Sequence, residues 1–80
     1  MKGAGLNTLA PGERGIVGGL ETTSFEVRQR LMEMGLTKGI SVTVIRVAPF
    51  GDPIEIELRG YRLSLRRKEA EAVIIQITRL

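Results

Sequence analysis

Alternating apolar and polar positions dominate the second half of the chain and predict β-strands there. Ser41–Val47 is rich in β-branched residues, which favour strands. Ile54–Leu58 alternates strictly between apolar and charged side chains, and residues 61–66 alternate in the same way. Only Arg59 and Gly60 separate these two segments, so we expect a tight hairpin in which Gly60 adopts a positive φ.

A different periodicity, with apolar residues three to four positions apart, predicts one helix over residues 23–34. The buried face of this helix would consist of Val27, Leu31 and Met34. Thr23 and Glu26 have the spacing of a capping box, in which a hydroxyl and a carboxylate accept opposed backbone N–H groups. Gly35 follows at the position where a residue in the left-handed conformation commonly ends a helix.

Shorter segments complete the predicted architecture. Strands are predicted at residues 15–17 and 72–77, a loop at 49–53, and a single helical turn at 67–70. A sheet of such short strands protects its edges best by curling on itself. We therefore expect a mainly β fold: a small barrel of about five strands with one α-helix between the first two strands. The chain length fits a single domain over residues 1–80.

The composition excludes most kinds of catalytic site. Neither His nor Cys occurs among the 80 residues, so no imidazole is available as a base near neutral pH and no thiolate as a nucleophile. Imidazole and thiolate are also the usual ligands in tight zinc and ferrous-iron sites. The glycines follow neither phosphate-loop pattern, G-x-x-x-x-G-K-[ST] or G-x-G-x-x-G. We expect no enzyme, no catalytic residue, no strong metal site and no cofactor.

A weak site built from carboxylates alone is the remaining option for a metal. Glu55 and Glu57 lie on one face of a predicted strand and could share a contact with a hard cation. The alternative is that they form the solvent face of that strand, paired across the hairpin with Arg62 or Ser64.

Signals for export or membrane insertion are not visible in the sequence. Residues 1–6 are too short and too polar for a signal peptide, and no apolar run approaches the ~20 residues that span a bilayer. The lack of cysteine agrees with a reducing compartment. We expect a cytoplasmic protein that does not insert into the membrane.

Positive charge is in mild excess, with a formal net charge of +3. The basic residues that cluster are Arg59, Arg62, Arg66, Arg67 and Lys68. Small barrels bind single-stranded nucleic acid through aromatic side chains beside such residues. Here Tyr61 alone is near, and the alternation places it on the buried face with Leu63 and Leu65. Nucleic acid is therefore not expected as a partner, although a nucleic-acid-binding barrel remains an alternative.

Four segments resemble motifs of the FeoA family in their order and spacing. The segments are residues 9–15, 30–40, 48–54 and 60–70. The second segment contains Leu31, a Met-Gly-Leu triplet at 34–36, and Gly39, which opens the next strand. The other three are similar to the family's opening, to its loop between the second and third strands, and to its last hairpin. The resemblance extends from about residue 6 to residue 77.

This resemblance implies an SH3-like barrel, in agreement with the independent strand count. It also implies a cytoplasmic accessory role for FeoB, the membrane protein that carries ferrous iron and bears a G-protein domain. Since the chain lacks imidazole and thiolate, it would act through protein contact rather than as an iron carrier. A similar domain ends metal-dependent repressors of the DtxR kind, so a stand-alone relative of that domain is a further alternative.

Exposed residues of the predicted helix, loop and helical turn are the candidates for contact with the partner. They are Arg28, Met32, Phe50, Arg66 and Arg67. Phe50 is either an exposed contact or a plug for one end of the barrel, and Met32 belongs either to the core or to the interface. Arg66 or Arg67 could also reach the nucleotide of a G-protein domain as an arginine finger.

Overall fold

Six antiparallel strands form the framework of the computed structural model, which describes residues 4–77. The strands are β1 (Ala4–Gly5), β2 (Arg14–Leu20), β3 (Ser41–Val47), β4 (Ile54–Leu58), β5 (Tyr61–Leu65) and β6 (Val73–Ile77). A short 3-10 helix, Leu6–Thr8, follows β1, while α1 (Phe25–Glu33) follows β2 and α2 (Arg67–Ala72) follows β5. The strands pair in the order β1-β6-β2-β3-β4-β5.

The mainly β character is confirmed, but the number of strands exceeds the five expected. The additional strand is β1, whose residues Ala4 and Gly5 pair with Ile75 and Ile74 of β6. Two residues are too few to show an alternating pattern, and their partners lie at the other end of the chain. Because β1 comes first, α1 lies between the second and third strands of the structure rather than between the first two.

The β4–β5 hairpin forms as the sequence predicts. Leu58 pairs with Tyr61, so only Arg59 and Gly60 form the turn. Both have a positive φ, 48° at Arg59 and 80° at Gly60, as a two-residue turn that follows the twist of its strands requires. The expectation of a positive φ at Gly60 is confirmed.

Two irregularities bend the sheet around the core. The pairing register shifts at Gly18, between β2 and β6, and at Ile45, between β3 and β4. An extra residue on one strand bends that strand and increases its twist. Strands of five to seven residues can therefore wrap around a small interior.

Aliphatic side chains fill the interior, and the helix α1 closes one side of it through Leu31. Leu31 is fully buried, which confirms its predicted inward orientation, and Leu36 just after the helix is fully buried as well. The other buried hydrophobic residues are Leu6, Leu9, Val17, Val42, Val44, Ile54, Ile56, Leu58, Leu65, Ala70, Ala72, Val73 and Ile75. Val27 and Met34 are partly buried against this core.

The predicted start of α1 is wrong by two residues, and its cap is different. Ser24, not Thr23, is the N-cap residue, and its Oγ accepts a hydrogen bond from the Val27 N–H at 3.2 Å. Glu26 is the second residue of the helix rather than the third, so the expected capping box does not form. A carboxylate instead caps α2, where Glu69 Oε1 accepts from the Arg66 N–H at 2.9 Å.

Tyr61 is less buried than the strand alternation predicted. Its side chain is 41% exposed, whereas Leu65 on the same strand is fully buried. The Tyr61 hydroxyl donates a hydrogen bond to the backbone carbonyl of Met34, the residue that ends α1. The ring therefore lies across the end of the helix instead of inside the core.

We expect the Tyr61→Phe substitution to lower the free energy of unfolding by about 1 kcal/mol, because it removes this hydrogen bond and keeps the ring. Urea unfolding followed by circular dichroism would measure the change. The slope of the transition should match that of the wild type, since the buried surface is unaltered. Identical unfolding midpoints for the two proteins would show that the hydroxyl contributes nothing to the docking of α1.

Candidate partner-binding surfaces

The five residues predicted to contact a partner are all exposed, and they divide between two parts of the surface. Arg28 and Met32 lie on α1. Phe50 lies in the loop between β3 and β4, while Arg66 and Arg67 lie at the start of α2. The structure brings the last three together and leaves the first two on the helix.

Phe50 points away from the protein, so the idea that it plugs one end of the barrel is wrong. Its side chain is 93% exposed. The loop that carries it is closed by two backbone hydrogen bonds, from Gly51 N–H to the Ala48 carbonyl at 2.8 Å and from Ala48 N–H to the Pro53 carbonyl at 3.1 Å. Phe50 is therefore an apolar side chain held out by an ordered turn.

Asp52 joins this loop to the start of α2. Its Oδ1 accepts the Arg67 N–H at 3.2 Å and lies 3.6 Å from Nη1 of Arg66. The Arg67 guanidinium pairs with Glu71 at 3.5 Å. Such exposed pairs contribute little to stability, but they limit where the side chains point. We call Phe50, Asp52, Arg66 and Arg67 the loop surface.

The side of α1 that faces away from the core carries two large apolar residues. Met32 is 52% exposed, which places it outside the core, and Phe25 is 74% exposed. Seven positions separate them, so they point in nearly the same direction on a helix. Phe25 was not among the residues predicted to contact a partner, although its spacing of seven positions from Met32 was the available signal.

A cleft of about 390 Å³ lies between α1 and the start of α2. Its lining residues are Thr22, Val27, Arg30, Arg66, Lys68 and Glu69. The one carboxylate among them, Glu69, pairs with Arg30 at 2.5 Å, and its side chain is only 12% exposed. Three cations thus surround a single carboxylate that is already bound on both oxygens. We call this feature the basic cleft.

Glu55 and Glu57 are engaged in ion pairs on the solvent side of β4. Glu57 faces Arg62 across the hairpin at 3.8 Å, as one of the two interpretations predicted. Glu55 lies opposite Ser64 but pairs with Arg46 of β3 at 2.9 Å. Within residues 4–77, the His, Cys, Asp and Glu side chains do not gather in groups of three or more that could hold a metal ion.

The basic residues that cluster in the sequence are divided in space. Arg59 lies in the turn at one end of β5, and Arg66 follows its other end. A five-residue strand separates the two ends by about 16 Å. None of the helices described between residues 4 and 77 has the length and apolar character needed to cross a bilayer.

Comparison with known proteins identifies related sequences over almost the whole chain. The FeoA domain family model matches residues 5–77. The chain is also 31% identical over 72 residues to the Fe(2+) transport protein A/Fe(2+) transporter FeoB fusion protein of Porphyromonas gingivalis W83. That match covers 90% of this chain and 8% of the fusion protein, so the chain corresponds to a small part of that relative.

Solved structures confirm the SH3-like fold. A FeoA-like protein from Clostridium acetobutylicum superposes with a TM-score of 0.88 at 39% identity, over 96% of this chain and 88% of its own. FeoA of Stenotrophomonas maltophilia in complex with zinc, described as a procaryotic SH3 domain protein, gives 0.79 at 25% identity, over 90% and 88%. A manganese-dependent transcriptional repressor gives 0.89 at 15% identity, over 95% and 37%, a likeness of fold alone.

Proposed function

Because this chain belongs to the FeoA domain family, we propose that it is a cytoplasmic accessory subunit of the ferrous-iron transporter FeoB. It acts by binding FeoB rather than by catalysing a reaction. The observation that carries this proposal is the fusion of a related domain to FeoB in one polypeptide of Porphyromonas gingivalis. Covalent linkage keeps two binding partners at a high effective concentration, so a fusion is favoured where the separate proteins associate.

The composition supports a contact role over an iron-carrying role. With neither His nor Cys among its 80 residues, the chain lacks the ligands that proteins prefer for ferrous iron. The cross-strand pairing of Glu57 with Arg62 and of Glu55 with Arg46 also occupies the carboxylates that a weak site would use. FeoB itself then carries the iron, and this chain changes the behaviour of FeoB through an interface.

The loop surface has the properties of an interface anchor. Phe50 offers an apolar side chain that the fold does not use, and its loop is held by Asp52. Aromatic and arginine side chains contribute most of the binding energy in typical interfaces, especially when they are held rigidly before binding. Arg66 and Arg67 beside Phe50 complete such a set. The matching site on FeoB would be an apolar pocket with carboxylates at its rim.

We expect the Phe50→Ser substitution to weaken binding to FeoB at least about tenfold, because it removes the apolar anchor. Calorimetric titration into full-length cognate FeoB in lipid nanodiscs, with GDP and with a GTP analogue, would measure the affinity. Phe50→Leu is the matched control, since it keeps an apolar side chain at the same position. Both variants should unfold at the wild-type temperature, because the side chain lies outside the core.

The titration also tests the role as a whole. Affinity that differs between the two nucleotide states would identify a subunit that responds to the G-protein switch. Failure of the wild-type chain to bind FeoB in either state would contradict the proposed function. Titration with a labelled single-stranded oligonucleotide would then decide on the nucleic-acid alternative.

A further inference from the structure

The basic cleft contains more cationic side chains than carboxylates to pair with them. Glu69 holds the Arg30 guanidinium with one oxygen and the Arg66 N–H with the other. Arg66 is drawn at longer range to Asp52, at 3.6 Å, while its side chain stays 73% exposed. Lys68 has no ion-pair partner among the residues that the structure describes. The cleft therefore presents cationic groups that remain free to meet an anion.

A further cation lies at the edge of the cleft. Arg28 donates from Nη2 to the carbonyl oxygen of Thr22 at 3.1 Å, and Thr22 is part of the cleft lining. This hydrogen bond holds the solvent-exposed guanidinium of Arg28 beside the opening. Cations from α1 and from α2 then border the cleft on both sides, so a negatively charged group inside it would be attracted from each.

The cleft is large enough to admit side chains of a partner. Its volume of about 390 Å³ lies within the range of ligand-binding pockets. Val27, which is partly buried against the core, adds an apolar surface to its lining. The Arg66–Asp52 pair makes the cleft continuous with the loop surface, so one partner can cover both.

We propose that the basic cleft binds an acidic segment of the partner, with carboxylate side chains of that segment placed between Arg30, Arg66 and Lys68. This inference rests on the proposed function, because the partner is FeoB. The inference specifies the chemistry of the contact. Phe50 provides the apolar anchor, and the cleft beside it binds negatively charged side chains of the partner. Complementary charges at an interface determine orientation and exclude wrong partners.

Lys68→Glu tests the cleft without disturbing the fold, since Lys68 is exposed and outside the core. We expect this substitution to weaken binding to FeoB in nanodiscs about tenfold or more at physiological salt. Lys38→Glu is the matched control, because it makes the same charge change in the connection between α1 and β3. It should change the affinity less than about twofold. The difference between the variants should shrink near 1 M salt, where the Debye length is about 3 Å.

A second measurement identifies the segment directly. A carbodiimide joins an amine to a carboxylate only when the two are in contact, so it should link Lys68 to Asp or Glu side chains of FeoB. Mass spectrometry of the digested complex would locate the link. Links confined to Lys38 or Lys2 would contradict the proposal.

The outcomes separate this inference from the proposed function. If the wild type binds FeoB and Lys68→Glu binds equally well, the cleft is not the docking site, while the accessory role stands. If both charge variants lose affinity equally, the effect is general electrostatics and the inference is wrong. If vesicles rich in phosphatidylserine bind the wild type but not Lys68→Glu, and FeoB binding is unchanged, the cleft serves lipid instead. If the wild type does not bind FeoB at all, both proposals fail.

Discussion

Replacing Leu31 by alanine is expected to lower the free energy of unfolding by about 2–5 kcal/mol. Leu31 is fully buried, and it is the one residue of α1 whose side chain is enclosed by the core. Its truncation removes apolar contacts and leaves a cavity that the short strands around it can close only in part. For a small domain, whose total stability is roughly 5–15 kcal/mol, this is a large share.

Thermal unfolding would show the effect as a fall of roughly 10–30 °C in the midpoint, given the size of the domain. Met32→Ala is the matched control, since it truncates the neighbouring residue of the same helix, which is exposed to solvent. That control should move the midpoint by only a few degrees. An unchanged midpoint for Leu31→Ala would mean that α1 does not pack on the sheet through this residue.

The destabilised variant would also affect the candidate interface. Arg30 lines the basic cleft from α1, with Arg28 at its edge, whereas Arg66 and Lys68 line it from the start of α2. The geometry of the cleft therefore depends on how firmly Leu31 holds the helix against the core. Loss of FeoB binding in Leu31→Ala would reflect this dependence, so the exposed substitution Lys68→Glu is the better test of the cleft.

Sequence periodicity predicted the elements whose signals are local. The strands β3, β4 and β5 alternate or are rich in β-branched residues, and the turn at Gly60 needs only two residues to specify it. At the start of α1, Thr23 and Ser24 both carry a hydroxyl that can cap a helix. Glu26 favoured Thr23 by spacing, but the structure uses Ser24. The N-cap is the residue whose hydroxyl accepts the Val27 N–H, and the backbone conformation, which the sequence pattern does not give, determines that this is Ser24.

The candidate site was predicted only in its components. Phe50, Arg66 and Arg67 were each selected from the predicted loop and helical turn, but neither the exposure of Phe50 nor its position near the two arginines was predicted. The basic cleft could not be predicted, because it joins α1 to a segment some 36 positions further along the chain, from Arg30 to Arg66. No periodicity relates two such segments; their approach follows from how α1 and α2 both pack against the sheet.

A side chain at Gly15 is expected to disrupt the centre of the sheet. Gly15 is buried in β2, where it pairs with Val42 of β3 on one side and with β6 on the other. A Cβ atom at this position would overlap Cγ2 of Ile75 and lie 2.9 Å from the backbone oxygen of Gln76. Ile75 is almost fully buried and is branched at Cβ, so its side chain has little room to turn away. The Gln76 carbonyl belongs to β6, which pairs with β2, and it cannot move without disturbing that pairing.

Gly15→Ala should therefore lower the free energy of unfolding by about 1–3 kcal/mol, the usual cost of overfilling a packed core, and Gly15→Val by more. Gly18→Ala is the matched control on the same strand, because a Cβ there meets its nearest atoms at 3.6 Å, an ordinary contact. This control should be neutral or gain about 0.4–1 kcal/mol, since alanine restricts the unfolded chain. Chemical unfolding of the three variants measures the difference. Equal stability of Gly15→Ala and Gly18→Ala would show that β2 and β6 do not approach as closely at Gly15 as the structure places them.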